Sequence, residues 1–332
     1  MSSPAFLTDS ASDILFAART LADGGLLGLP TETVYGLAAD ALNPKAVAAI
    51  FKAKGRPADH PLIVHVWSVE QVALYAADVP AFARQLMDAF WPGPLTLILP
   101  RRAGVAGACA GGHDTIALRC PSHPVARQVL QQALGLGVTG VAAPSANLFG
   151  RVSPTTAMHV REAFADLPVL DGGACDVGIE STIVDASRGV PVLMRPGMLS
   201  AAQLSAACGQ PVQRLPAYSS TAISKVDAPA APGMLLSHYA PRAKLCLGTA
   251  AEIEAQAAKA TATLAVWARS ALHLPTHVKL IAMPNQAAEA AHDLFATLRA
   301  LDALGVDQIW VENPPAGEDW EGVRDRLQRA SA

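Results

Sequence analysis

The 332-residue chain reads as an α/β protein of two domains, and three observations carry that reading. Short apolar runs bounded by Gly and Pro alternate with stretches of helical period, the pattern of strands packed against helices. Polar and charged residues gather where those apolar runs end, which is where open α/β sheets bind ligands. Between Gly209 and Ala243 the pattern lapses into prolines and serines without a period, so a linker, 209–243, separates a first domain, 1–208, from a second, 244–332.

Hydrophobic residues make up 51% of the chain and charged residues 16%, proportions that suit compact domains with cores of their own. A net charge of −3 offers no overall cationic surface, so bulk nucleic-acid binding is not expected and any RNA contact would need a local patch. The five cysteines lack CxxC spacing, which argues for free thiols in a reducing compartment and against a zinc site. No apolar run reaches membrane-spanning length and the N-terminus has no signal-peptide pattern, so a cytoplasmic location without a membrane partner is expected.

Taken in order, a helix is predicted from Asp9 or Ser10 to Gly24–Gly25, with Ile14, Leu15, Ala18 and Leu21 on one face. Leu26–Leu29 is a strand, and Thr31, Glu32, Thr33 and Tyr35 lie at its C-terminal mouth. Asn43 and Pro44 open a second helix, which runs to Lys54 and ends at Gly55. Lys52, Lys54 and Arg56 crowd its end. Cations there complement the helix dipole, and they equally suit an oligophosphate, for which Arg gives a planar fork and Lys a mobile charge. Leu62–Val66 is the next strand, with His65 at its end.

Helical stretches from Ser68 and Pro80, a turn at 90–94 and strands at Leu95–Leu99 and 115–119 follow, the last with Arg119 at its exit. A helix over 121–134 leads to GLGVTG at 135–140. Those letters match a dinucleotide-binding fingerprint, but a helix precedes them and the strand Val141–Ala143 follows, the reverse of the order that motif needs. Ser145 and Asn147 leave that strand, and a capped helix start is read at Ser153–Thr155. Short polar residues of this kind bond their own backbone in ordinary turns more often than they meet a ligand. Ser181 sits near the start of the apolar run within 178–187, Pro191–Arg195 ends in an arginine, and Ser200 with Gln203 is a capping box. In the second domain, strands at KLCLG, TLAVWA, HVKLIAM and QIWVE alternate with helices at 250–260, 285–304 and 318–330, which predicts a small, largely parallel sheet without a catalytic constellation.

PTETVYGL at 30–37, KGRP at 54–57 and PLIVHV at 61–66 resemble the YrdC-type threonylcarbamoyl-AMP synthases, and the likeness continues through SAN at 145–147 to APGMLLSHYAPRA at 231–243. The resemblance implies a YrdC-like twisted mixed sheet with helices, a linker that covers the active site, and a smaller Rossmann-like α/β domain. It implies a nucleotidyltransferase that condenses L-threonine, bicarbonate and ATP into threonylcarbamoyl-AMP with release of pyrophosphate. A separate transferase would use that product to modify the adenosine beside the anticodon of tRNA, and this chain's own contact with tRNA would be weak. Mg2+ would accompany ATP.

In that family KxR pairs with SxN, so Lys54, Arg56, Ser145 and Asn147 would form the catalytic set. Arg56, His60, Thr115, Ser145, Ser153, Arg195 and Tyr239 would hold ATP, with His60 standing where the family pattern has asparagine. Thr33, His65, Arg119, Ala143 and Ser181 would hold threonine, with Arg119 facing its carboxylate. Lys54 and Arg56 are expected to be at least partly exposed. The rival reading, a non-catalytic nucleotide- or RNA-binding protein of the same fold, would have no need of both KxR and SxN.

Overall fold

Nine short strands form one mixed sheet in the first domain of the computed structural model, which describes residues 6–214 and 238–332. They are β1 (Leu27–Leu29), β2 (Gly36–Asp40), β3 (Ile63–His65), β4 (Leu95–Pro100), β5 (Thr115–Arg119), β6 (Val141–Ala142), β7 (Thr182–Asp185), β8 (Val192–Arg195) and β9 (Gln213–Arg214), in the spatial order β1-β2-β6-β3-β5-β4-β7-β8-β9. The pairs β3/β5, β4/β7 and β8/β9 are parallel and the others antiparallel. Helices cover the sheet, so neighbouring residues of a strand go into different cores: Leu97 and Leu99 pack with Leu118 and Val64, whereas Ile98 packs with Ile63, Ala117 and Ile183.

Local signals act as expected at the helix that ends beside the site, Pro44–Lys54. Asn43 Oδ1 accepts from the backbone N–H groups of Lys45 and Ala46, and Gly55 closes the helix at φ 63°. One strand is not foreseen and two expectations need correction. Gly36–Asp40 is a strand that its Gly-Ala-Ala composition disguises; pairing with β1 on one side and β6 on the other overrides weak propensity. The helix expected from Ser153–Thr155 instead spans Ala157–Ala163, capped by Thr156. Finally, β9 pairs with β8, so the first sheet extends beyond residue 208. Most of the expected linker, 215–237, lies outside the described residues.

The second domain carries β10 (Lys244–Gly248), β11 (Leu264–Ala268), β12 (Lys279–Ala282) and β13 (Gln308–Glu312), all parallel in the order β10-β13-β11-β12. Helices Ala250–Lys259, Ala287–Asp302 and Glu321–Ala330 connect and cover them. Its core continues into the first domain, because Val34, Val152 and Ile179 share one apolar cluster with Trp267, Phe295 and Leu327. Glycine makes two of the closest approaches. A Cβ on Gly178, which has φ +79°, would lie 2.4 Å from the backbone of His292, and one on Gly322 would lie 2.8 Å from the Gly197 carbonyl oxygen. Among the described residues no helix is long and apolar enough to cross a membrane.

Candidate active site

The C-terminal ends of β3 and β5 lie side by side, with His65 paired to Arg119, and a cavity of about 50 Å3 opens there. The turn after β1 forms one wall. Thr31 Oγ1 donates to the Val34 carbonyl at 2.6 Å and lies 2.9 Å from Thr33 Oγ1, which fixes the turn by its own hydroxyls. Arg119 reaches across to it. Its Nη1 donates to Thr33 Oγ1 at 2.7 Å, its Nε to the Gly93 carbonyl at 3.3 Å, and its Nη2 lies 2.7 Å from Glu32 Oε1. Burial alone would raise the Glu32 pKa, but the Arg119 charge outweighs it and holds this carboxyl below its usual range. His65 is buried with Nδ1 unpartnered among the described residues, and burial followed by the Arg119 charge brings its pKa down to about 3, so the ring is neutral.

Ser181 and Arg195 form the opposite wall. The two hydroxyls of Ser181 and Thr96 are 2.7 Å apart, while Arg195 donates from Nη2 to the Ser181 carbonyl at 2.9 Å and to its Oγ at 3.2 Å. Ala143, Ser145 and Arg56 complete the lining. Arg56 Nη2 donates to the Pro61 carbonyl at 2.9 Å, and its buried Nε has no partner among the described residues. Burial lowers its pKa to about 10, so the guanidinium stays charged at neutral pH. His238 and Tyr239 close the roof, with ring centroids 4.1 Å apart and the Tyr239 backbone at φ 66°. The buried Tyr239 hydroxyl has no partner among the described residues, and burial raises its pKa to about 12.

Several expected contacts are rearranged. Lys54 is not exposed: at 3% accessibility it donates to the carbonyls of Ser145 and Asn147 at 2.5 and 2.6 Å, and burial, then Arg56, lowers its pKa well below the lysine range. The helical period contains the reason, since Val47, Ile50, Phe51 and Lys54 share the inward face. Asn147 donates to the Leu148 and Arg151 carbonyls, both at 2.8 Å, so it shapes the loop and is not on the cavity wall. KxR and SxN are thus joined through Lys54, and Arg56 and Ser145 are the members that face the cavity. Ser153 is buried and donates to Glu180 Oε1 at 2.6 Å, which places Glu180, not Ser153, on the wall. His60 packs at a tilt against Phe149, with ring centroids 5.5 Å apart, outside the cavity. Thr115 sits at the far end of β5, about 13 Å from Arg119 at the usual strand rise.

Glu32 is readable only as a polar residue at a strand mouth, and Glu180 is not singled out by the sequence at all; their arginine partners are remote in the chain, so local pattern gives no sign of either pairing. The arrangement as a whole is suited to anions: Arg56 and Arg195 are held at the cavity with hydroxyls beside them, and the interior acids are already paired.

Comparisons with known proteins place the chain in a family. A family described as telomere recombination, which joins Sua5, YciO and YrdC proteins, matches residues 19–197, and the C-terminal domain of threonylcarbamoyl-AMP synthase matches residues 199–332. The chain belongs to the threonylcarbamoyl-AMP synthase family. It is 37% identical to the threonylcarbamoyl-AMP synthase of Pyrococcus abyssi, across 96% of this chain and 94% of that one. With the Bacillus subtilis threonylcarbamoyl-AMP synthase it shares 35% identity, across 98% and 94%. The crystal structure of P. abyssi Sua5 complexed with L-threonine superposes with a TM-score of 0.90 at 36% identity, covering 99% of this chain and 98% of that one. As in those synthases, both family domains are present in one chain.

Proposed function

We infer that this chain synthesises threonylcarbamoyl-AMP from L-threonine, bicarbonate and ATP, releasing pyrophosphate and water. The observation that carries the reading is the roofed cavity that the Thr33–Arg119 pair lines on one side and Ser181 with Arg195 on the other, with Arg56 completing its cations. Membership of the family supports it over its full length.

Threonine would sit against Thr33, His65, Arg119 and Ser181. Arg119 is committed to Glu32 by one nitrogen, so it would meet the threonine carboxylate while remaining anchored, a fixed cation that needs no reorganisation. Carbamate formed from the amine and bicarbonate would direct an oxygen at the α-phosphorus, and pyrophosphate would leave toward Arg56 and Arg195, which stabilise the developing charge. Ser145 would orient the nucleotide, with Lys54 and Asn147 holding its loop. A neutral His65 offers a hydrogen bond without adding a charge to the amine's surroundings. The roof of His238 and Tyr239 would keep water from the carbamate and the mixed anhydride.

Both acids of the cavity region, Glu32 and Glu180, are bound to arginines, so Mg2+ would be held chiefly by phosphate oxygens and water. It would neutralise phosphate charge there. The product would pass to a separate transferase acting on the adenosine beside the anticodon, and a direct contact with tRNA would be weak for a chain of net charge −3. Pyrophosphate release from the purified protein, measured with each substrate omitted in turn, tests the reading. Dependence on ATP, threonine and bicarbonate together is expected; release that ignores threonine or bicarbonate would overturn it.

A further inference from the structure

The last helix, Glu321–Ala330, places a fully buried arginine against the candidate site. Arg326 donates from Nε to Glu180 Oε2 at 2.8 Å, from Nη2 to the Glu180 carbonyl at 3.1 Å, and from Nη1 to the Pro196 carbonyl at 2.9 Å and Asp325 Oδ2 at 2.7 Å. Its guanidinium carbon also lies 5.6 Å from the centre of the Tyr239 ring. One turn on, the Arg329 carbonyl accepts from the His238 backbone N–H at 3.0 Å. A single turn of the second domain therefore meets both roof residues and one wall of the cavity.

Glu180 is the reason this matters. It lines the cavity, directly precedes Ser181, and accepts the Ser153 hydroxyl on its other oxygen. A bare carboxylate on that wall would repel every phosphate brought to Arg56 and Arg195. Burial opposes its ionisation, but Arg326 and then Arg195 outweigh burial and keep its pKa below the usual range. Packing alone does not call for an arginine here, since burying an ion pair is no more stabilising than well-fitted apolar side chains.

We propose that Arg326 is a positioning residue for the nucleotide: by neutralising and aiming Glu180, the second domain sets the charge and shape of a wall that the first domain cannot complete by itself. The proposal rests on the function inferred above, in that ATP is the anion served. It makes the C-terminal domain part of the site, and it predicts that Glu180 is harmful without its partner.

The test uses the full chain and the dependence of pyrophosphate release on ATP. R326M, which keeps the length and loses the charge, is expected to raise KM for ATP roughly tenfold or more with a smaller change in kcat. Adding E180Q to R326M removes the orphaned carboxylate and is expected to return KM to within about threefold of the unsubstituted protein. A role in packing alone would not give that recovery. An unchanged KM in R326M, or a raised KM that E180Q fails to lower, overturns the proposal. Should R326M not fold, R326K decides, because it keeps the charge but loses the fork: a KM for ATP raised about threefold supports the proposal and an unchanged one refutes it. If the unsubstituted protein shows no turnover, the inferred function fails separately, and calorimetric Kd values for ATP in the same variants still test the pair.

Discussion

Replacing Arg119 by Met should do more than remove a substrate contact. Arg119 and Glu32 are both buried and lie 2.7 Å apart, so R119M leaves a carboxylate inside the protein with no cation. Removing one partner of a buried pair costs about 3–5 kcal/mol. For a domain of this size each kcal/mol lowers Tm by roughly 2–4 °C, which gives a drop of about 6–20 °C. The sign with pH follows from Glu32. Its folded pKa lies below the unfolded value in the intact protein, so the pair's contribution is present above that unfolded value and fades as pH falls through the folded one. The gap between R119M and the unsubstituted protein should therefore be wide at neutral pH and narrow in acid. Calorimetric scans at both pH values measure it, and E32Q added to R119M should recover at least half of the loss at neutral pH. A drop of less than about 2 °C, or a double variant no better than R119M, would refute the reasoning.

Lys54→Met should fold yet lose turnover on the order of 100-fold, because the Ser145 and Asn147 carbonyls lose the Nζ donor that holds their loop in place. Circular dichroism and pyrophosphate release check both halves, and undiminished activity would contradict them. With its pKa pushed down to about 3, His65 should stay neutral throughout the working range. The dependence of kcat/KM on pH should then have the same shape in His65→Asn as in the unsubstituted protein between about pH 5 and 8, and an inflection near 6.5 that this substitution abolishes would count against it.

Much of the fold is legible because its signals are local. Asn43 and Gly55 bracket their helix as their side chains dictate, Ser200 caps as a Ser-x-x-Gln box should, and the second domain's alternation yields its parallel sheet. β2 escaped because Gly36, Ala38 and Ala39 are poor strand formers, and only two neighbours in space make them one. The candidate site divides along the same line. Thr33, His65, Arg119, Ser145, Ser181 and Arg195 are readable as polar residues at strand ends, and they do meet at one cavity. Lys54 could have been placed correctly from its helical period with Val47 and Ile50, a signal outweighed by the attraction of a lysine beside an arginine. Glu180 with Arg326 could not, because 146 residues separate them and no periodicity connects the two domains.

The measurement that tests the central claim most directly is mass analysis of the product made from ATP, L-threonine and carbon-labelled bicarbonate. The account predicts threonylcarbamoyl-AMP that carries the label, formed in equal amount with pyrophosphate and lost when threonine is left out. Pyrophosphate formed without that adduct, or an adduct that excludes the bicarbonate carbon, would contradict it.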